Sequence, residues 1–245
     1  MRLLEPLTPD PGAPLAQAHP LAKIGAAFVL MLALFITVDP VTPALVLVAV
    51  FVAVPAIGVP PRALLRRAAP VFIAAVGIGF FNAVVSGSVA AGVAIAIRLV
   101  GISLAGIVAV ASIDPTELSD ALVEHLHTPR RFVAGALAAF RLMPLFADEW
   151  ETIALARRAR GLDSRRVSAF FTMTRTLLVS AIRRATRLAV AMDGRGFADP
   201  GCRTLARPRP IEFRDWSLVA AAFMVALLAS AASIAAGSWR FFLSR

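Results

Sequence analysis

The sequence predicts an all-α, polytopic membrane protein of about five transmembrane helices, with a polar domain of long amphipathic helices inserted before the last span. Three observations predict it. Of 245 residues, 59% are hydrophobic and 16% charged, with mean hydropathy +0.79, whereas soluble domains hold about 45–50% apolar and about 25% charged residues. Long stretches carry no charge at all, the longest running 30 residues from Ala68 to Ile97. The charge is also segregated: residues 113–215 hold 17 Arg and 12 acidic residues, and the remaining 142 residues hold only 8 Lys/Arg and 3 acidic ones.

Residues 1–20 open on "MRLLEPLTPDPGAPL", an acidic, Pro-rich lead unlike a cleaved signal peptide, so the first apolar run reads as a permanent span. Residues 21–112 hold four spans, each needing about 20 apolar residues to cross a hydrocarbon core of ~30 Å. The first is Leu21 to Val38, with Lys23 placed to snorkel at its mouth. The second is Thr42 to Val59, ended by Pro60-Pro61 and expected to kink at Pro55. The charge-free run after it is too long for one span, and Ser86-Gly87-Ser88 is the natural break, giving a hairpin that ends near Ile113. Arg62, Arg66 and Arg67 crowd the loop between spans two and three, and span four exits into the Arg-rich region. By the positive-inside bias both lie in the cytoplasm, with the N-terminus inside and the C-terminus outside. Arg240 and Arg245, in the tail 238–245, are then a mild violation.

The inserted domain, 113–215, reads as helices. Asp114-Pro115 supplies an N-cap and a first helical position. Pro129 opens a second helix with Phe132, Leu137, Phe140 and Leu145 at helical spacing, a kink expected at Pro144, and a stop at Gly161. Ser164 is expected to cap a third, which runs to Arg195 and stops at Gly196. Several Arg on each make a transbilayer path costly, so both are placed as amphipathic helices under the membrane. The last span covers 216–237.

The composition excludes several chemistries. The single lysine, Lys23, lies at a membrane span, so the GxxxxGK[ST] phosphate cradle cannot form and the chain is not expected to hydrolyse ATP. Gly77-x-Gly79 lacks the third glycine of a dinucleotide loop and suits close helix packing instead. Cys202 alone makes no internal disulfide. His125 and His127, two apart, face away from each other on a helix, which argues against a metal site. Asp148, Glu149 and Glu151 read as a solvated face, with no nucleophile beside them. Net charge +10 raises nucleic acid as a partner, but the Arg alternate with apolar residues on membrane-adjacent helices, so anionic lipid headgroups suit them better. No cofactor is expected.

Two polar residues lie within the spans. Arg98, at a site where a charge costs about 2.5–3.5 kcal/mol, is read as hydrogen-bonded to neighbouring helix carbonyls, with a substrate or gating contact as the sharper alternative. Asn82 is read as an interhelical hydrogen bond, or a seat for a partner helix.

One pattern returns. Ala156-x-x-Ala159-Arg160-Gly161 recurs 35 residues later as Ala191-x-x-Gly194-Arg195-Gly196, each at the end of a long helix. Gly past a helix end adopts the left-handed conformation, and an Arg there complements the helix dipole. Two such ends, each with a small residue before the Arg, also suit fork-like pairing with carboxylates on two receptors.

These residues resemble the transmembrane T component of energy-coupling factor (ECF) transporters, the vitamin and transition-metal branch of ABC importers. The resemblance covers nearly the whole chain: "AIRLVGIS" with Arg98, "IDPTELSDAL", "AFRLMPLFADEWETIALARRARG", "RRATRLAVAMDGRGF", and a closing span. It implies that the inserted region is a coupling domain of two long helices crossing beneath the cell membrane of a bacterium or archaeon. It implies partnership with two ABC ATPase subunits, separate or fused, and with a membrane-embedded substrate-binding S component. Carried over by position, Arg160 and Arg195 would insert into the two ATPase grooves, framed by Ala159/Gly161 and Gly194/Gly196. The second copy departs from the family pattern at Gly194, where Ala is usual, which loosens the last turn. A membrane enzyme acting on lipid-linked substrates and a membrane scaffold are the alternatives. The first lacks acidic ligands or a nucleophile at suitable spacing, and the paired Arg ends argue against the second.

Overall fold

A computed structural model describes residues 13, 17–37, 39–58, 61–162, 167–196 and 209–237. Among them the chain forms eight α-helices: α1 (Pro20–Ile36), α2 (Val41–Ile57), α3 (Pro61–Ser86), α4 (Val89–Ala111), α5 (Pro115–His125), α6 (Arg130–Ala159), α7 (Val167–Gly194) and α8 (Phe213–Ala235). They divide into two compact units, Met1–Leu118 with Arg209–Arg245, and Ser119–Pro208.

The first unit holds the apolar helices of a membrane protein. Among the described residues, three stretches are long and apolar enough to cross a bilayer: Leu64–Ser86, Val89–Ala111 and Phe213–Ala235. The charge-free run breaks where the sequence predicts. Gly87 takes φ +63°, a conformation open to glycine, and the Ser88 hydroxyl accepts from the Ala91 amide at 3.4 Å to start α4.

α1 and α2 have 17 residues each, or roughly 25 Å, short of the ~30 Å core. Their shortness has a local cause. Thr37 leaves the helix in an extended conformation, and the Asp39 carboxylate starts α2 by accepting from the Thr42 amide at 2.8 Å and its hydroxyl at 2.7 Å.

α1 and α2 each pack against both α4 and α8, and α3 packs on α4. Leu34, Val46, Val50, Leu104 and Ala229 form the shared core. Between these four helices remains a cavity of about 190 Å³, walled largely by alanines such as Ala26, Ala53, Ala109 and Ala222, with Lys23 and Ser112 at its edge. α3 meets α4 backbone to backbone. A Cβ on Gly92 would lie 2.4 Å from the Gly79 carbonyl oxygen and 2.7 Å from Ala83 Cβ, while one on Gly77 would meet nothing within 4 Å. Gly79, not Gly77, is therefore the packing glycine.

Two expectations are corrected here. Lys23 does not snorkel: it is 7% exposed, and its Nζ donates to the Ser112 carbonyl at 2.8 Å, placing a cation on the last carbonyls of α4. α8 begins at Phe213 rather than Trp216 because Glu212 and Asp215 form a capping box.

In the second unit, α6 runs 30 residues through Pro144 and α7 runs 28. α5 begins in the first unit, where the Asp114 carboxylate accepts from the Thr116 amide at 2.6 Å, and passes into the second at Ser119. α6, through residues 146–150, touches α7 at Phe170 near its start and at Ser180 and Arg184 near its middle. Trp150 meets Phe170 edge-on at 5.5 Å, and the Arg184 guanidinium lies 5.8 Å from the Phe146 ring centre. Glu149 is not on a solvated face. It accepts a hydrogen bond from the Ser180 hydroxyl and stands 3.8 Å from Arg184, pinning the crossing. Asp148 and Glu151 are exposed. Little else in these two helices is buried beyond Val133, Ala169 and Met173, while Phe132, Phe140, Phe171, Leu178 and Val190 are exposed. So much uncovered apolar side chain marks surface meant for lipid or protein. Ser164, Cys202, Arg240 and Arg245 lie outside the described residues.

Candidate functional site

The repeated ending takes the same backbone form twice. At the first copy Ala159 is the last helical residue, Arg160 the cap, and Gly161 takes φ +71°. The Gly161 amide donates to the Arg158 carbonyl at 2.9 Å and the Leu162 amide to the Arg157 carbonyl at 3.0 Å, the two bonds of a Schellman end. At the second, Gly194 is the last helical residue, Arg195 follows, and Gly196 takes φ +72°. The Gly196 amide donates to the Asp193 carbonyl at 2.9 Å.

Each guanidinium thus projects from a helix terminus between residues with little or no side chain, and Ala159, Arg160, Gly161, Gly194 and Arg195 are all exposed. The helix of each copy reaches well past the crossing. From Glu149 to Arg160 is ~16 Å of helix and from Ser180 to Arg195 ~22 Å, at 1.5 Å per residue. Each Arg therefore lies several turns beyond the Glu149–Ser180 contact at an exposed helix end, and its guanidinium has the fork geometry that pairs with a carboxylate.

The two ends differ in strength. Arg157 and Arg158 sit in the last turn of α6, where cations favour the dipole, whereas the last turn of α7 holds no basic residue and carries Asp193. With Gly194 in place of Ala, the second end is the weaker helix.

In the first unit, Arg98 reaches from α4 to the end of α1. Its Nη2 donates to the Phe35 carbonyl at 2.7 Å, and the guanidinium stands 5.9 Å from the centre of the Phe35 ring. It serves α1 as a cap across from α4. Asn82 is half-buried in α3, and its backbone carbonyl accepts from the Ser86 hydroxyl at 2.6 Å. Among the described residues its amide reaches no neighbouring helix, which corrects the expected interhelical hydrogen bond. His125 ends α5, and among the described residues no group of three or more His, Cys, Asp or Glu could hold a metal ion.

Sequence reasoning missed a buried cluster beside Arg98. Asp39, Thr42 and Ser233 are almost fully buried, joining the start of α2 to the far end of α8. Burial pushes the Asp39 carboxyl up, but hydrogen bonds from Ser233 and from the Thr42 amide and hydroxyl outweigh it and hold the group below the ordinary carboxylate range. The signal was available: Asp39-Pro40 repeats the Asp114-Pro115 start.

A family model described as CbiQ, cobalt transport protein, matches residues 12–204. The chain is similar to the energy-coupling factor transporter transmembrane protein EcfT of Staphylococcus aureus, at 31% identity over 51% of each chain. It is 30% identical to that of Bacillus subtilis over 62% of each chain. To that of Heliobacterium modesticaldum it is 26% identical over 88% of this chain and 92% of the relative. The chain thus spans 51% of the Staphylococcus relative's length and 62% of the Bacillus one's.

Proposed function

We propose that this chain, which belongs to the CbiQ family of cobalt transport proteins, is the transmembrane T component of an energy-coupling factor importer for a vitamin or transition-metal ion. It lies in the cell membrane of a bacterium or archaeon with five passes, α1 to α4 and α8, and holds α5 to α7 as a cytoplasmic coupling domain. Arg160 and Arg195 each dock one of two ABC ATPase subunits, and a membrane-embedded S component binds the substrate. The chain itself is not an enzyme and binds no nucleic acid.

The observation that carries this reading is the pair of helix ends closed by a left-handed glycine, each presenting an exposed Arg between small residues. Two like ends on two helices joined at one crossing suit two like receptors that move against each other. When the ATPases close on ATP, both Arg are carried with them. The arms are helices pinned at Glu149, Ser180 and Arg184, so displacement at their tips changes the crossing. The exposed apolar residues of α6 and α7 give the S component and lipid a surface to rest on, and a change in crossing tilts whatever rests there.

Co-purification tests it. The tagged chain is co-expressed with its ATPases as wild type and as Arg160→Glu with Arg195→Glu. The wild type retains the ATPases and the double variant, unchanged in helix content, loses them. Equal retention by both forms would leave the repeat as two well-capped helices.

A further inference from the structure

The chain leaves the first unit after Leu118 and re-enters it at Arg209. The last turn before departure and the first residue on return are joined to each other: Arg209 Nη1 donates to the Glu117 carboxylate at 2.8 Å. Both are also tied to the start of α1. Arg209 Nη2 donates to the Gln17 carbonyl. The Asp215 carboxylate accepts from the His19 amide at 2.6 Å and from the Glu212 amide at 2.9 Å, so one carboxylate serves the starts of α1 and α8 together. Lys23, one turn into α1, donates to the Ser112 carbonyl at the end of α4. Partners 89 to 196 residues apart in sequence thus converge on seven residues at the start of α1, 17 to 23.

We infer that this knot is a buckle through which motion of the inserted unit reaches the membrane helices, with Glu117 and Arg209 as its positioning residues. The inference rests on the energy-coupling reading above. Without the buckle, the outgoing segment at Ile113–Leu118 and the returning one at Arg209–Glu212 would each follow the inserted unit separately, and slack in either would absorb the displacement. With it, both connections pull on α1, α4 and α8 as one. The pair is a little under half solvent-facing, at 38% and 47% side-chain exposure, and a solvent-exposed ion pair adds little to folding stability. Its connection of the two crossing segments is therefore the better account of its placement than fold stability. The buried ties around it, Asp215 and Lys23, hold the fold and are left untouched in the test.

Hydrogen exchange of the complex, co-expressed with its ATPases and compared with and without ATP plus vanadate, tests the inference without knowledge of the substrate. In wild type, nucleotide changes exchange both at the helix ends, 154–162 and 188–196, and in α1 and α8. In Glu117→Ala with Arg209→Ala, the response at the helix ends persists while that in α1 and α8 is lost, at a melting temperature close to wild type. Arg209→Lys, which keeps a cation near Glu117, retains the response in α1 and α8. A response in α1 and α8 that survives the double substitution overturns the buckle, as does its absence in wild type while the helix ends respond. If the helix ends themselves do not respond in wild type, the coupling reading fails first.

Discussion

Two glycines of the second helix end and its counterpart make a prediction of opposite signs. Gly194 is right-handed and helical, and a Cβ added there meets nothing within 4 Å. Ala at that place gains its helix propensity with no packing change, about 0.8–1.0 kcal/mol. Gly161 has equally open surroundings but φ +71°, where an L-residue costs roughly 1–2 kcal/mol. Because neither site has neighbours to shift, both effects are those of the backbone alone. Hydrogen exchange of the purified chain in detergent reads them. In Gly194→Ala the Arg195 and Gly196 amides, bonded to the Met192 and Asp193 carbonyls at 3.1 and 2.9 Å, should exchange about fourfold to fivefold more slowly. In Gly161→Ala the Leu162 amide, bonded to Arg157 at 3.0 Å, should exchange roughly 5- to 30-fold faster. Slower exchange at Leu162, or faster exchange after Gly194→Ala, would refute the assignment of which glycine is helical and which is left-handed. Docking of the ATPases should survive Gly194→Ala, since it recreates the Ala of the first copy.

Three further outcomes follow from the packing. Gly92→Ala, with its Cβ 2.4 Å from a backbone oxygen, should cost about 1–3 kcal/mol as α3 and α4 part, read as a lowered Tm in detergent, while Gly77→Ala at an open site should not. Asp39→Ala removes the cap of α2 and should cost about 1–2 kcal/mol, or roughly 2–8 °C in Tm. Because the Asp39 carboxyl is held below its ordinary value, its contribution is present at neutral pH and lost as pH falls through the ordinary carboxylate range toward the folded value. The acid side of the Tm-against-pH curve should therefore flatten in the variant. Arg98→Leu strips the Phe35 carbonyl of its donor and should cost about 1–3 kcal/mol. An unchanged Tm with impaired transport would instead mark Arg98 as a substrate or gating residue.

What the sequence made legible is what local chemistry decides. The hairpin break follows from a charge-free run too long for one span and a Ser-Gly-Ser inside it, and the ends of α6 and α7 follow from glycines after Arg. What escaped was decided by distant partners. Lys23 near the end of an apolar run has no local reason to turn inward, and Ser112 that draws it there is 89 residues away. Glu149 looks solvated until Ser180 of another helix is brought to it. Glu117 and Arg209 give no local signal, being 92 residues apart. The two Asp-Pro starts were equally readable, but Asp39 sits between two apolar runs, where the eye takes hydropathy before capping. The early start of α8 was likewise written in Glu212 and Asp215 and hidden behind the apolar residues that follow.

The central claim is that each of two helix ends holds its own ATPase. Site-directed cross-linking tests it most directly, in a chain whose single native cysteine, Cys202, is replaced by Ser. Ala156→Cys and Ala191→Cys, exposed one turn before each Arg, are introduced singly and together and labelled with a maleimide photocrosslinker in the assembled complex, so that both Arg are kept and no partner cysteine is needed. The account predicts one ATPase captured by each single variant, and a product of one chain with two ATPases from the pair. Capture at only one position, or none while the complex stays assembled, would contradict it.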